Sequence, residues 1–150
     1  MTAILHTRRW LYSHEMQDVG NIDNMAKIKD IPCDIYRWDV QVFLGSHEEF
    51  RTYVEKKLKD KDLLSVVDDE APGIGDFYCG PNQAIIRIGE FPKTPAQIAC
   101  ASHEAIHAAA YILNWAGIKY EETGAEEALT YLQEWILTNI LDKHGYKKIK

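Results

Sequence analysis

The sequence lacks the features that mark a disulfide scaffold, a membrane protein or a nucleic-acid binder. It has only three cysteines, Cys33, Cys79 and Cys100, widely spaced and without a Cys-x-x-Cys pair. An odd, scattered set excludes a disulfide framework and predicts a reducing compartment. No stretch approaches the ~18 consecutive apolar residues of a membrane span. Arg8 and Arg9 are followed by no apolar run of signal-peptide length. Positive charge is in deficit, with 17 Lys and Arg against 23 Asp and Glu, a net charge of −6. That leaves no electrostatic footprint for nucleic acid. Lys143, Lys147, Lys148 and Lys150 read as a solvated tail. The expectation is a soluble, cytoplasmic protein with no nucleic-acid or membrane partner.

What is present suits one globular domain over residues 1–150. Hydrophobic residues make up 46% of the chain, and four Trp and eight Tyr can fill a core. Residues 1–30 carry little pattern; His6 and His14 have no partner at ligand spacing. From Pro32 to Leu44 the period is two, with Tyr36, Trp38, Val40, Val42 and Leu44 on one face, which predicts an amphipathic strand. Ser46 and Glu49 then form a capping box for a helix of about twelve residues, with His47 exposed in its first turn. Leu63 to Val67 reads as a short strand. Asp68-Asp69-Glu70 opens a loop that lacks the ligand spacing of a calcium site. Asp76–Cys79, a Gly80-Pro81-Asn82 turn and Gln83–Ile88 read as a hairpin.

Thr94-Pro95 predicts a helix start, with a hydroxyl cap and Pro at the first helical position, and Gly117 a stop. Thr123 and Glu126 form a second capping box for a helix over about 124–143. Its apolar stripe is Ala125, Leu129, Leu132, Ile136 and Ile140.

The first of these helices contains His103-Glu104-Ala105-Ile106-His107. On a helix, residues four apart have Cβ atoms about 5–6 Å apart, so His103 and His107 can hold one metal ion. Two neutral imidazoles suit Zn²⁺, and a carboxylate beside a metal-activated water suits a general base. Chance alone would place His-Glu-x-x-His in a chain of this composition with a probability of about 2%. The competing reading is a polar helix face with Glu104 in a surface pair.

A catalytic zinc needs a third protein ligand. Glu126 and Glu127, early in the second helix, are the candidates. Periodicity turns Glu126 toward the apolar stripe, but its capping-box role competes. Glu127 shares a polar stripe with Tyr131, Glu134 and Thr138, which is expected if that side faces a metal site. On this ground Glu127 is preferred. Cys100, one turn before His103, reads as a buried, inert thiol.

His-Glu-Ala-Ile-His, followed by Gly-Ala-Glu-Glu-Ala with Glu127 twenty residues after His107, resembles the gluzincins, the thermolysin-like zinc peptidases. The run from His103 to Leu132 also resembles small His-Glu-x-x-His proteins of tailed phages and prophages, most of unassigned function. The likeness covers roughly residues 95–140. It implies Glu127 as third ligand in the context Glu-Ala. It also implies zinc-dependent hydrolysis of a peptide or amide bond, with a peptide or protein substrate and Glu104 as general base. A phage origin would place the protein in the host cytoplasm or the virion. Where gluzincins carry an orienting Asp four residues after the ligand Glu, this chain has Tyr131, and the later domain that supplies their transition-state histidine is missing. Orientation of the histidines then falls to Glu134, Tyr131 or a backbone carbonyl, and transition-state stabilisation to Tyr131, Tyr120 or Arg87. The alternative is a non-catalytic zinc-binding accessory protein with a vestigial site; a third reading is a zinc-free interaction module.

The expected fold is α+β, a small, mostly antiparallel sheet packed against a zincin-like pair of C-terminal helices. The strand Ile85–Ile88 is expected to line the cleft as an edge that accepts an extended peptide. Oligomeric state is not legible.

Overall fold

The computed structural model describes residues 25–71, 73–81, 83–119 and 124–150. His6, His14, Tyr120 and Thr123 therefore lie outside the described residues. The fold is α+β. Its sheet has five strands among the described residues: β1 (Lys27–Cys33), β2 (Trp38–Leu44), β3 (Gly75–Gly80), β4 (Gln83–Ile88) and β5 (Lys147–Lys148), in the order β3-β4-β2-β1-β5. Every neighbouring pair is antiparallel except β2 with β4, which run parallel.

The period-two stretch from Pro32 is two strands rather than one. Alternation puts Ile31 and Cys33 of β1 in the core. A 3₁₀ turn, Asp34–Tyr36, then reverses the chain and ends at Arg37 with φ 55°. The core face moves from odd positions before the turn (Ile31, Cys33) to even positions after it (Val40, Val42, Leu44), so the turn shifts the alternation by one residue. Past it, Val40, Val42 and Leu44 face one side of the sheet and Phe43 the other.

Among the described residues each face carries two α-helices. Helix α1 (His47–Tyr53) opens with the expected capping box: the Glu49 amide donates to Ser46 Oγ, 3.1 Å, and the Ser46 amide to Glu49 Oε2, 2.7 Å. It continues as a π-helical turn, Val54–Leu58. His47 is half-buried, its Nε2 3.0 Å from the Val67 carbonyl, so it bridges to α2 where exposure was expected. Helix α2 (Lys61–Asp69) replaces the short strand expected at 63–67. Leu63 and Val67, four apart, are its buried pair, and Asp60 caps it by accepting from the Leu63 amide, 3.0 Å. A five-residue apolar run does not distinguish strand from helix; the cap does.

On the opposite face lie α3 (Pro95–Trp115) and α4 (Ala125–Leu141). Thr94 caps α3 as expected, and its box is completed by Gln97. Gly117, at φ 80°, stops it: the Gly117 amide donates to Asn114 O, 3.1 Å, and the Ile118 amide to Leu113 O, 2.9 Å, the paired bonds of a Schellman motif. Ala101, Ala105, Ala108 and Ala109 are buried against the sheet, and their small side chains bring the helix close. The N-cap of α4 is Gly124, which offers no side-chain oxygen, in place of the expected threonine cap. Of the expected stripe, Ala125, Leu132, Ile136 and Ile140 are buried and Leu129 is half-buried.

The strand β4 is not an edge. It pairs with β3 on one side and β2 on the other, so among the described residues β3 is the outer strand in its place.

Lys29 anchors α4 to the sheet. It is buried on β1, and its Nζ donates to the Asn139 carbonyl, 2.7 Å, and the Asp142 carbonyl, 3.0 Å. A cation thus meets the carbonyl end of a helix, where the dipole favours it. Lys29→Met keeps the stem and removes the charge. It should lower stability by about 1–3 kcal/mol, measured by urea unfolding, and weaken protection of the last turn of α4 in hydrogen exchange.

Candidate metal centre

His103 and His107 lie one turn apart on α3, and their Nε2 atoms are 3.1 Å apart. Helical spacing brings the rings together, and they meet edge-on with centroids 4.6 Å apart and planes inclined by 83°. Burial, then the neighbouring His103, lowers the His107 pKa, which favours the neutral imidazole that binds a metal. Neither histidine is buried outright.

Glu104 is different. It is only 6% exposed, and its Oε2 has no hydrogen-bond partner. It faces β3, because α3 presses against that strand at Gly75. A β-carbon at Gly75 would stand 2.6 Å from Cys100 Sγ and 3.4 Å from Glu104 Cγ. Burial raises the Glu104 pKa to about 7; Asp76 and Glu70 push the same way, and Arg87 opposes them. The Cys100 thiol is half-buried; desolvation raises it to about 11, with the Glu104 charge as a second cause. A thiol held there stays protonated, as the inert reading expected.

Arg87 acts on Glu104 through its charge only; its guanidinium is engaged elsewhere. Ile86 and Ile88 face the core on the α3 side, so alternation turns Arg87 to the opposite face. There it is 1% exposed and fully engaged. Its Nε donates to Asp76 Oδ2, 2.6 Å, its Nη1 to Gly45 O, 3.3 Å, and its Nη2 to Gly73 O, 2.6 Å, as well as to Asp76. It is a structural clamp between β3, β4 and the end of β2.

Helix α4 runs antiparallel to α3. Phe91, just before α3, meets Tyr146 and Lys143, just after α4. Midway, Gln133 Nε2 donates to Ser102 Oγ, 3.0 Å, and to the Ser102 carbonyl, 3.2 Å. Five residues on along α3 and five back along α4, His107 and Ala128 fall at one level, so the first turn of α4 stands at the height of the histidines. Gln133 marks the side of α4 that faces α3. Glu126 lies two turns before it, about 20° away around the helix, and Glu127 about 120° away. Both are exposed. Tyr131, 68% exposed, and Glu134 share the solvent side with Glu127. Among the described residues, no three His, Cys, Asp or Glu side chains lie together in a group that could hold a metal ion. Only the two histidines converge; two imidazoles are a donor pair that suits zinc, one ligand short of the three protein ligands of a catalytic site.

Two residues at the site carry no motif. Phe77 of β3 stacks on the His107 ring, centroids 6.3 Å apart and planes 16° apart. Tyr111, one turn beyond His107, donates its hydroxyl to the Gly80 carbonyl of β3. The i, i+4, i+8 spacing of His103, His107 and Tyr111 was the available signal for Tyr111; none pointed to Phe77.

Compared with protein-family models, curated proteins and solved structures, the chain matches none.

Two outcomes follow from the close contact at Gly75. Gly75→Ala should cost about 1–3 kcal/mol, as overpacking does, and Cys100→Ala in the same chain should recover part of it. Denaturant unfolding of the four-member cycle measures the coupling. The second concerns pH. Glu104 binds its proton more tightly folded than unfolded, so stability falls as pH rises from about 4.5 through about 7. In metal-free protein the wild type should lose on the order of 3 kcal/mol relative to Glu104→Gln across that window, read from urea midpoints at pH 5 and pH 8.

Proposed function

We propose that this protein binds zinc through His103, His107 and a glutamate of the first turn of α4, and hydrolyses a peptide or amide bond. One observation carries the reading: two histidine Nε2 atoms converge at 3.1 Å, next to a buried glutamate with an unsatisfied oxygen. Burying a carboxylate without a partner is costly, and a helix with only a structural role has no need of one there. The resemblance of residues 95–140 to gluzincins and to small phage His-Glu-x-x-His proteins points the same way.

A zinc ion at such a site supplies Lewis-acid polarisation of the substrate carbonyl and lowers the pKa of water. Glu104 takes a proton from the attacking water and delivers it to the leaving amine. Its desolvated carboxyl holds a proton near neutral pH, the range in which a group can both accept and donate. Strand β3, an outer strand among the described residues and flanking α3 from Glu104 to Tyr111, is the docking rail for an extended substrate. The third ligand is Glu127 by the resemblance; the contact of Gln133 with Ser102 favours Glu126.

The second reading is a non-catalytic zinc-binding accessory protein with a vestigial site. It is favoured by the exposed Tyr131 and by the engagement of Arg87 on the far face of the sheet, which leave two of the three expected stabilising groups uncommitted to the site.

Metal analysis of untagged protein should find about one zinc per chain, lost in His103→Ala; no zinc in the wild type would sink both readings. Glu126→Gln and Glu127→Gln should differ, with the ligand variant losing about 10-fold or more in zinc affinity and the other near wild type. Glu104→Gln should retain zinc and abolish cleavage of a fluorogenic peptide library. A wild type that binds zinc and cleaves nothing in that library favours the accessory protein.

A further inference from the structure

Metal-binding histidines need their rings held, and the usual holder is a carboxylate or carbonyl hydrogen-bonded to the second ring nitrogen. Among the described residues, neither His103 nor His107 has one; the single hydrogen-bonding contact of each ring is the other ring. What His107 has is a ring against its face. Phe77 is almost fully buried and stacks on it at 6.3 Å and 16°, within the range of offset aromatic pairs. On its other side Phe77 meets Tyr111 at 6.0 Å and 64°. Its ring is therefore seated between two side chains one turn apart on α3, and it cannot slide along the helix without losing one of them. Tyr111 is itself tied to the end of the same strand through the Gly80 carbonyl. Strand and helix are thus fastened on both sides of the stack. His103, edge-on to His107, takes its orientation from the ring so held.

We infer that Phe77 is a positioning residue, orienting His107 and through it His103 by ring packing where none of the described residues supplies a hydrogen-bonded carboxylate. The consequence for metal affinity rests on the proposed zinc-binding reading; the ring geometry does not.

The experiment combines NMR of the metal-free full chain with zinc titration. The wild type should show contacts between Phe77 and His107 ring protons, with the His107 protons displaced by the ring current. Phe77→Leu should abolish that displacement and weaken zinc binding by about 10–100-fold, whereas Phe77→Tyr, which keeps the ring, should retain both. Val40→Ala, which thins the same core on β2, should leave zinc affinity unchanged. The inference is overturned by Phe77→Leu binding zinc as the wild type does with unmoved His107 signals. It is equally overturned by Val40→Ala losing affinity to the same extent, since general loosening would then explain the effect. If Phe77→Leu does not fold, Tyr111→Leu removes the buttress and leaves Phe77 in place. Displaced His107 signals and weaker zinc binding are expected there, and no change in either overturns the inference. A wild type that binds no zinc refutes the metal reading alone; the His107 signals still decide the packing.

Discussion

Helix α3 lies against strand β3 with no side chain between them at Gly75, and the character of the candidate site follows from that contact. Cys100 and Glu104 occupy the space a β-carbon would take. Glu104 is consequently stripped of water without gaining a hydrogen-bond partner for Oε2, and desolvation dominates its raised pKa. The same approach brings Phe77 onto His107 and Tyr111 onto Gly80. A wider gap would admit water to Glu104 and release both histidine rings.

The alanines of α3 and the alternation of β3 and β4 serve this approach. Small side chains at 101, 105, 108 and 109 let the helix settle on the sheet. Alternation sends Phe77 toward the helix and Asp76 and Arg87 to the far face. The Asp76–Arg87 clamp then holds the strand from behind, where Arg87 also gathers the Gly45 and Gly73 carbonyls. The site has an apolar, rigid wall on one side. On the other, the first turn of α4 brings two exposed carboxylates to the height of His107.

The stripe of Glu127, Tyr131, Glu134 and Thr138 marks the limit of periodicity as a guide. A polar stripe on an amphipathic helix suits a polar neighbour, but all four residues are exposed, and water satisfies them as a metal site would. The side of α4 that meets α3 is set instead by Gln133 and by the apolar stripe beside it. Arg87 carries a similar lesson in reverse. Its neighbours Ile86 and Ile88 are apolar and flank it in a strand, so alternation by itself places Arg87 on the face away from them and away from the histidines.

The chain's local chemistry determined a good part of this protein. The capping residues Ser46 and Thr94, the Gly117 stop, the 76–88 hairpin and the buried stripe of α4 are all consequences of neighbours within a few residues, where spacing dictates geometry. So is the convergence of His103 and His107, since four residues make a turn. Only tertiary structure decided the rest, because it depends on which distant segments share a boundary. Strand β1 was hidden because a lysine, Lys29, occupies its core face among few apolar residues, and α2 by an apolar run too short to declare its period. Among the described residues the edge position belongs to β3 because β2 pairs with β4 across an intervening pair of helices. The isolation of the Glu104 carboxylate was beyond reach for the same reason: burial belongs to the contact between α3 and β3, and no residue near 104 in the chain records what lies across from it.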